Sequence, residues 1–197
     1  MTQTAFYLSS SATLADAGAE LATLTDLLGK PEAESVAAIL FAVTEGSDED
    51  VKDLASEWIE LCHQQDRACM LLDRPELAAE LGADGVHLSR ADARKVKHVR
   101  AALGEDMQIG ASCGRSLDRA MQVGEAGADY IAFGPYNGSA DKMGKVAKLS
   151  HITDWVVTTE LPVVAEGGIT AEELPGLQAA AADFVMLEPK NWRLCIG

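Results

Sequence analysis

The chain has 197 residues, 48% of them hydrophobic, and a formal net charge of −15 from 31 acidic and 16 basic side chains. Such a charge speaks against nucleic acid and anionic membrane as partners, and no apolar run reaches the roughly 18 residues of a membrane-spanning helix. The four cysteines (Cys62, Cys69, Cys113 and Cys195) lack CxxC or CxxH spacing, which argues against a zinc site or a disulfide framework and for a reduced, cytoplasmic setting.

The first ten residues carry no basic patch ahead of an apolar core, so they do not read as a signal peptide. The length suits one domain spanning 1–197. Along it, short apolar runs of strand type fall near 5–8, 36–43, 68–72, 85–88, 107–111, 129–133, 162–165 and 183–187. Amphipathic segments separate them at 12–29, 48–66, 75–81, 92–103, 116–126, 148–159 and 170–180. A unit recurs: a helical pattern, a Gly or Ala followed by Ala-Asp, then an apolar run, as in "LAAELGADGVHLS" (77–89), "VGEAGADYIAFG" (123–134) and, more weakly, "LQAAAADFVML" (177–187). Strand–helix alternation demands a parallel sheet, and about eight units predict an α/β fold, the (β/α)₈ TIM barrel, in a short version with a reduced last helix. A doubly wound open sheet is the alternative.

In a barrel the reactive groups gather where the strands end. Asp73 follows the third strand and Asp92 follows the fourth. Two such carboxylates suit one Mg²⁺, which takes one or two protein oxygens and keeps several waters; equally, each suits a helix cap. His87 lies inside the fourth strand and reads better as a satisfied core histidine than as a catalytic one. Ser112, after the fifth strand, suits a substrate hydrogen bond or a cap. The longest loop, "GPYNGSADKMGKVAK" (134–148), holds Lys142, Lys145 and Lys148, as either a basic lid for a diphosphate or a solvated loop. Gly167 and Gly168 follow the seventh strand, where bare backbone N–H groups would hold a phosphate or where chain segments approach closely. The first 66 residues hold 13 acidic and only 2 basic side chains, so an anion site must be built mainly from the later part.

The segments "GADGVHLSRAD" (82–92), "GADYIAFGP" (127–135), the loop through Lys142, and "PVVAEGGI" (162–169) together resemble the thiamine phosphate synthase and TenI-like barrels over roughly residues 68–187. The resemblance implies a cytoplasmic transferase of thiamine biosynthesis. Its substrates would be a pyrimidine-methyl diphosphate and a thiazole phosphate, phosphorylated heterocycles joined with release of diphosphate through a pyrimidine carbocation. By the same resemblance Asp73 and Asp92 would hold Mg²⁺, Ser112 and Lys142 would act in catalysis, and Ser139, Gly167 and Gly168 would hold substrate phosphate. A homodimer is the family precedent.

Several positions depart from the family pattern. Its strand-2 Gln-x-Arg-x-Lys is matched here by Phe41, Val43 and Glu45, which removes two cations and adds a carboxylate. Leu72 replaces an Asn, and after the eighth strand Glu188 and Pro189 stand where phosphate-binding N–H groups are expected. A changed substrate, or a barrel that binds a thiamine precursor without catalysis, is the alternative these exchanges imply.

Overall fold

The computed structural model describes residues 4–136 and 146–196. Eight parallel strands, β1 (Ala5–Ser9), β2 (Val36–Phe41), β3 (Ala68–Leu72), β4 (Gly85–Leu88), β5 (Gln108–Gly114), β6 (Tyr130–Phe133), β7 (Val163–Ala165) and β8 (Phe184–Leu187), pair in chain order. β8 pairs back onto β1, with Ala5 opposite Phe184 and Leu8 opposite Leu187, which closes the barrel. The open-sheet alternative is therefore excluded. Helices α1 (Leu14–Leu28), α2 (Asp48–Gln64), α3 (Pro75–Leu81), α4 (Ala93–Leu103), α5 (Leu117–Glu125), α6 (Leu149–Val156) and α7 (Leu174–Ala179) cover the outside.

The eighth helix is indeed reduced, to a 3₁₀ segment at Pro189–Cys195. Trp192 anchors it: the buried indole donates to the Ser9 carbonyl at 3.1 Å and packs edge-on against Trp58. Another 3₁₀ turn, Pro31–Ser35, precedes β2 and has no counterpart in the predicted pattern.

The recurring Ala-Asp unit now has a physical reason. Gly82, Gly127 and Ala181 all take positive φ (70°, 103° and 61°), turning the chain from helix to strand. Two residues on, each Asp reaches back to the preceding strand. Asp84 accepts from the Cys69 N–H at 2.7 Å, Asp129 from Ile109 at 2.6 Å, and Asp183 from Val163 at 2.9 Å. The unit thus ties β4, β6 and β8 to the starts of β3, β5 and β7, and satisfies a donor that the barrel's lower edge would otherwise leave open. Arg100 of α4 adds an ion pair to Asp129.

Side chains alternate between two layers. Outward-facing residues such as Phe41, Val43, Leu71, Val86 and Phe133 form the large cluster with the helices. Inward, Tyr7, Leu40, Met70, Ala132, Val164 and Met186 fill the barrel. Among the described residues no helix is long and apolar enough to cross a membrane.

Ala181 is the one member of the repeated turn that is not glycine, and a left-handed Cβ-bearing residue costs about 1–2 kcal/mol. Ala181→Gly should therefore stabilise the protein by about 0.5–1 kcal/mol net of the added chain entropy, read as a raised urea midpoint at unchanged slope.

Candidate active site

The C-terminal ends of the strands enclose a pocket of about 670 Å³. Leu40, Ala42, Leu72 and Met186 give it apolar walls, while His87, Ser112, Glu166 and Glu188 bring polar groups and Arg90 and Arg119 bring positive charge. At the opposite end of the barrel lies a smaller space of about 230 Å³, lined mainly by Ala37, Ala38, Ala68, Met70 and Phe184.

Between the two runs a hydrogen-bonded chain. Tyr7 and Tyr130 share a bond at 3.0 Å, Tyr130 meets His87 Nδ1 at 3.0 Å, and His87 Nε2 meets Ser112 Oγ at 2.8 Å. Ser112 in turn donates to Glu166 Oε2 at 3.0 Å. Burial pushes the pKa values of both tyrosines well above the usual phenol range, so both keep their protons. With Ser112 spending its proton on the carboxylate, its oxygen accepts from His87 Nε2, while Tyr130, which keeps its proton, donates to His87 Nδ1. All donations then run one way and end on Glu166. Tyr130 can cross the barrel because position 110 is glycine: a Cβ there would lie 2.0 Å from the phenol ring. His87 is the satisfied buried histidine expected from its place in the strand, and it also touches the pocket.

The strand-2 exchange takes a different form from the one expected. Phe41 and Val43 face the helices, with the Phe41 ring 5.8 Å from that of Trp58. Because the side-chain period is two, the neighbouring residues Leu40 and Ala42 are the ones that line the pocket. Glu45 does not enter it either. Its exposed carboxylate accepts from the Leu14 N–H at 2.7 Å, at the start of α1. The strand therefore contributes no charge of either sign to the site.

Asp73 and Asp92 meet around one residue, Lys95. The Asp73 carboxylate takes the Lys95 ammonium at 2.8 Å and the Ser89 N–H and hydroxyl. Asp92 caps α4 by accepting the Lys95 backbone N–H at 2.9 Å. Burial alone would raise the Asp73 pKa, but the bonds from Lys95 and Ser89 outweigh it and hold the group below the usual carboxylate range. Both aspartates are thus ionised oxygen donors at neighbouring strand ends, chemistry that fits a cation taking one or two carboxylate oxygens and keeping its waters. Lys95 is partly exposed and its pairing with Asp73 is of the readily exchanged kind. Among the described residues no group of three or more potential metal ligands occurs.

Gly167 and Gly168 both have positive φ, 82° and 72°. A Cβ on Gly167 would come within 2.9 Å of Pro135, so close chain approach accounts for the first glycine. The N–H of the second is engaged: it donates to Glu188 Oε1 at 3.0 Å, and Lys190 pairs with the other oxygen at 3.2 Å. α7 begins only at Leu174, so the pair does not sit at a helix N-terminus. Ser139, Lys142 and Lys145 lie outside the described residues. The four cysteines are buried and unpaired. Burial holds the Cys113 thiol up at about 12 and that of Cys195 at about 11, which leaves them protonated.

Across residues 13–188 the sequence matches the pattern of the family described as thiamine monophosphate synthase. The chain belongs to that family. Among similar proteins, the thiamine-phosphate synthase of Hyphomonas neptunium is 44% identical over 126 residues, covering 64% of this chain and 57% of that protein. The thiamine-phosphate synthase of Rhodospirillum centenum is 36% identical over 162 residues, covering 82% of this chain and 78% of that one. In structure the barrel resembles thiamine phosphate pyrophosphorylase from Pyrococcus furiosus, with a TM-score of 0.79, 21% identity, and 95% and 86% of the two chains covered; at that identity the likeness concerns the fold.

Glu166, Arg90 and Arg119 were not singled out from the thiamine monophosphate synthase motifs. Glu166 had a signal, as the one charged residue between an apolar strand and two glycines. The two arginines had none, since one lies in a turn and one on the face of α5.

The facing of β2 can be checked by paired substitutions. Phe41→Gln should cost about 3–5 kcal/mol by opening the helix-facing layer, whereas Ala42→Gln, at a half-buried position facing the pocket, should cost about 1 kcal/mol or less. Equal losses in denaturant unfolding would refute the alternation assigned here.

Proposed function

We propose that the protein is a thiamine-phosphate synthase, a transferase that joins a pyrimidine-methyl diphosphate to a thiazole phosphate and releases diphosphate. The observation that carries this reading is the pocket at the C-terminal face of a barrel of this family, with Ser112 on its floor and positive charge at its rim. Apolar walls from Leu40, Leu72 and Met186 suit the flat faces of two heterocycles. Arg90, in the turn after β4, and Arg119, on α5, line the same pocket and would partner the diphosphate in place of strand-2 cations. Asp73 and Asp92 would hold Mg²⁺, which when bound neutralises charge on the leaving diphosphate. Ser112, its proton directed at Glu166 and one lone pair engaged by His87, would offer its remaining lone pair and a fixed position to a substrate ring.

One observation favours a second reading for the acceptor. The Glu188 carboxylate already occupies the Gly168 N–H, and like charges side by side cost several kcal/mol. An acceptor without a phosphate would avoid that repulsion.

Incubation of the purified protein with the aminopyrimidine-methyl diphosphate, Mg²⁺ and thiazole phosphate should yield thiamine phosphate. Unphosphorylated hydroxyethylthiazole in place of the phosphate tests the second reading, since thiamine as the preferred product would favour it. Glu188→Ser should strengthen use of thiazole phosphate by at least about tenfold in kcat/KM. Metal dependence has its own readout: Mg²⁺ with diphosphate at 100 times its dissociation constant should stabilise the wild type by about 2.7 kcal/mol in thermal unfolding. Asp73→Asn should lose most of that shift. No product with either acceptor would sink the synthase reading.

A further inference from the structure

We infer that Glu166 is the pyrimidine-binding and cation-stabilising carboxylate of this site, taking over the grip that β2 does not supply. The inference rests on the synthase reading for its substrate, and on the following geometry for its residue.

Glu166 follows β7 directly and is fixed at both ends. Its backbone N–H donates to the Phe133 carbonyl at 2.9 Å. Its Oε2 takes the Ser112 hydroxyl at 3.0 Å and lies 3.3 Å from His87 Nε2. Its side chain is only 17% exposed, and that exposure is to the pocket. Oε1 has no hydrogen-bond partner among the described residues, so one oxygen is held while the other stays available. The remaining carboxylate of the pocket lining, Glu188, is committed to Gly168 and Lys190. Among the described residues, therefore, Glu166 is a fixed, partly desolvated carboxylate with one unengaged oxygen and no paired lysine or arginine.

That arrangement suits an aminopyrimidine. The exocyclic amine is a hydrogen-bond donor next to the ring carbon that carries the reacting methylene. A carboxylate accepting its N–H enriches the nitrogen, whose lone pair then donates further into the ring. In the reaction the C–O bond to diphosphate breaks, its electron pair leaves with the diphosphate oxygen, and positive charge develops on the methylene and ring. The thiazole nitrogen supplies the pair that forms the new C–N bond, and the hydrogen-bonded amine proton stays where it is. A fixed anion in a low-dielectric pocket stabilises such a cation more than water does, because it need not reorient as charge appears. Arg90 and Arg119 line the same pocket for the departing anion, so the two products of bond cleavage meet partners of opposite sign. β2 offers only Leu40 and Ala42 here, leaving the amine no partner on that side.

The test has two arms. In the first, Glu166→Gln should lower kcat for thiamine phosphate formation by about 100-fold, the scale seen when one preorganised charge-stabilising group is lost, with KM for thiazole phosphate unchanged. In the second, calorimetry with the aminopyrimidine alcohol, which lacks the diphosphate, should show Glu166→Gln and Glu166→Ala weakening affinity by about tenfold or more. For the same alcohol lacking its amine, wild type and variants should bind alike. Unchanged kcat and unchanged affinity, or an equal loss for the amine-free analogue, would overturn the assignment, with thermal unfolding confirming that the variants fold. If the wild type makes no thiamine phosphate, the synthase reading falls while the calorimetric arm still decides whether Glu166 recognises the amine. Failure of the wild type to bind that alcohol overturns the inference as well.

Discussion

Everything in this protein that touches substrate is filtered through one constraint, the two-residue alternation of side chains in a closed parallel barrel. Half of each strand belongs to the helix-facing layer and must be apolar there; only the other half can carry chemistry. β2 illustrates the force of the rule. Phe41 and Val43 are held outward by Trp58 and the α2 face, so the pocket receives Leu40 and Ala42 whatever a linear motif would suggest. A shift of one residue would bring an aromatic ring into the pocket and strip the helix layer of its packing. The register is thus fixed by the core, and the site inherits it.

The same constraint explains how a buried polar chain can exist at all. Tyr7, His87, Ser112, Tyr130 and Glu166 all take inward positions, and each needs partners once water is excluded. They find them in one another, from the middle of the barrel to the pocket floor. The last member, Glu166, is a carboxylate, and it lies next to the pocket. A chain of donors that ends on a carboxylate fixes that group's orientation. Loss of the Ser112 hydroxyl would remove the bridge between His87 and Glu166, leaving His87 with Tyr130 and a longer 3.3 Å approach to the carboxylate.

The barrel could be read from periodicity because buried parallel strands and amphipathic helices leave unambiguous patterns, and because the Gly-Ala-Asp turn recurs with a structural job at each copy. The candidate site was legible only where it coincides with a strand end. That rule singled out Asp73, Asp92, Ser112 and the Gly167–Gly168 pair, of which Ser112 and Gly167 line the pocket. What the pattern could not give was facing and pairing. It placed Glu45 beside the substrate, whereas the N-terminus of α1 attracts that carboxylate outward. It passed over Glu166, whose inward direction depends on the register of β7, and over Arg90 and Arg119, which reach the pocket from a turn and a helix.

What distinguishes this barrel physically is that Asp73 and the Gly168 N–H are already answered from within. Lys95 sits on Asp73, and Glu188 sits on the Gly168 N–H. Each internal partner marks a place where a ligand ion of the same sign would be drawn, a cation at Asp73 and an anion at Gly168. For a ligand to take such a place it must displace the partner, and the ease of displacement follows exposure and valence. Lys95 is a single charge on a flexible, partly exposed stem. Glu188 is harder to move, because it keeps both the Gly168 donor and Lys190, and Pro189 beside it has no N–H to offer an incoming phosphate. Of the two internal partners, Glu188 is therefore the more firmly held, and it is the one that lines the pocket.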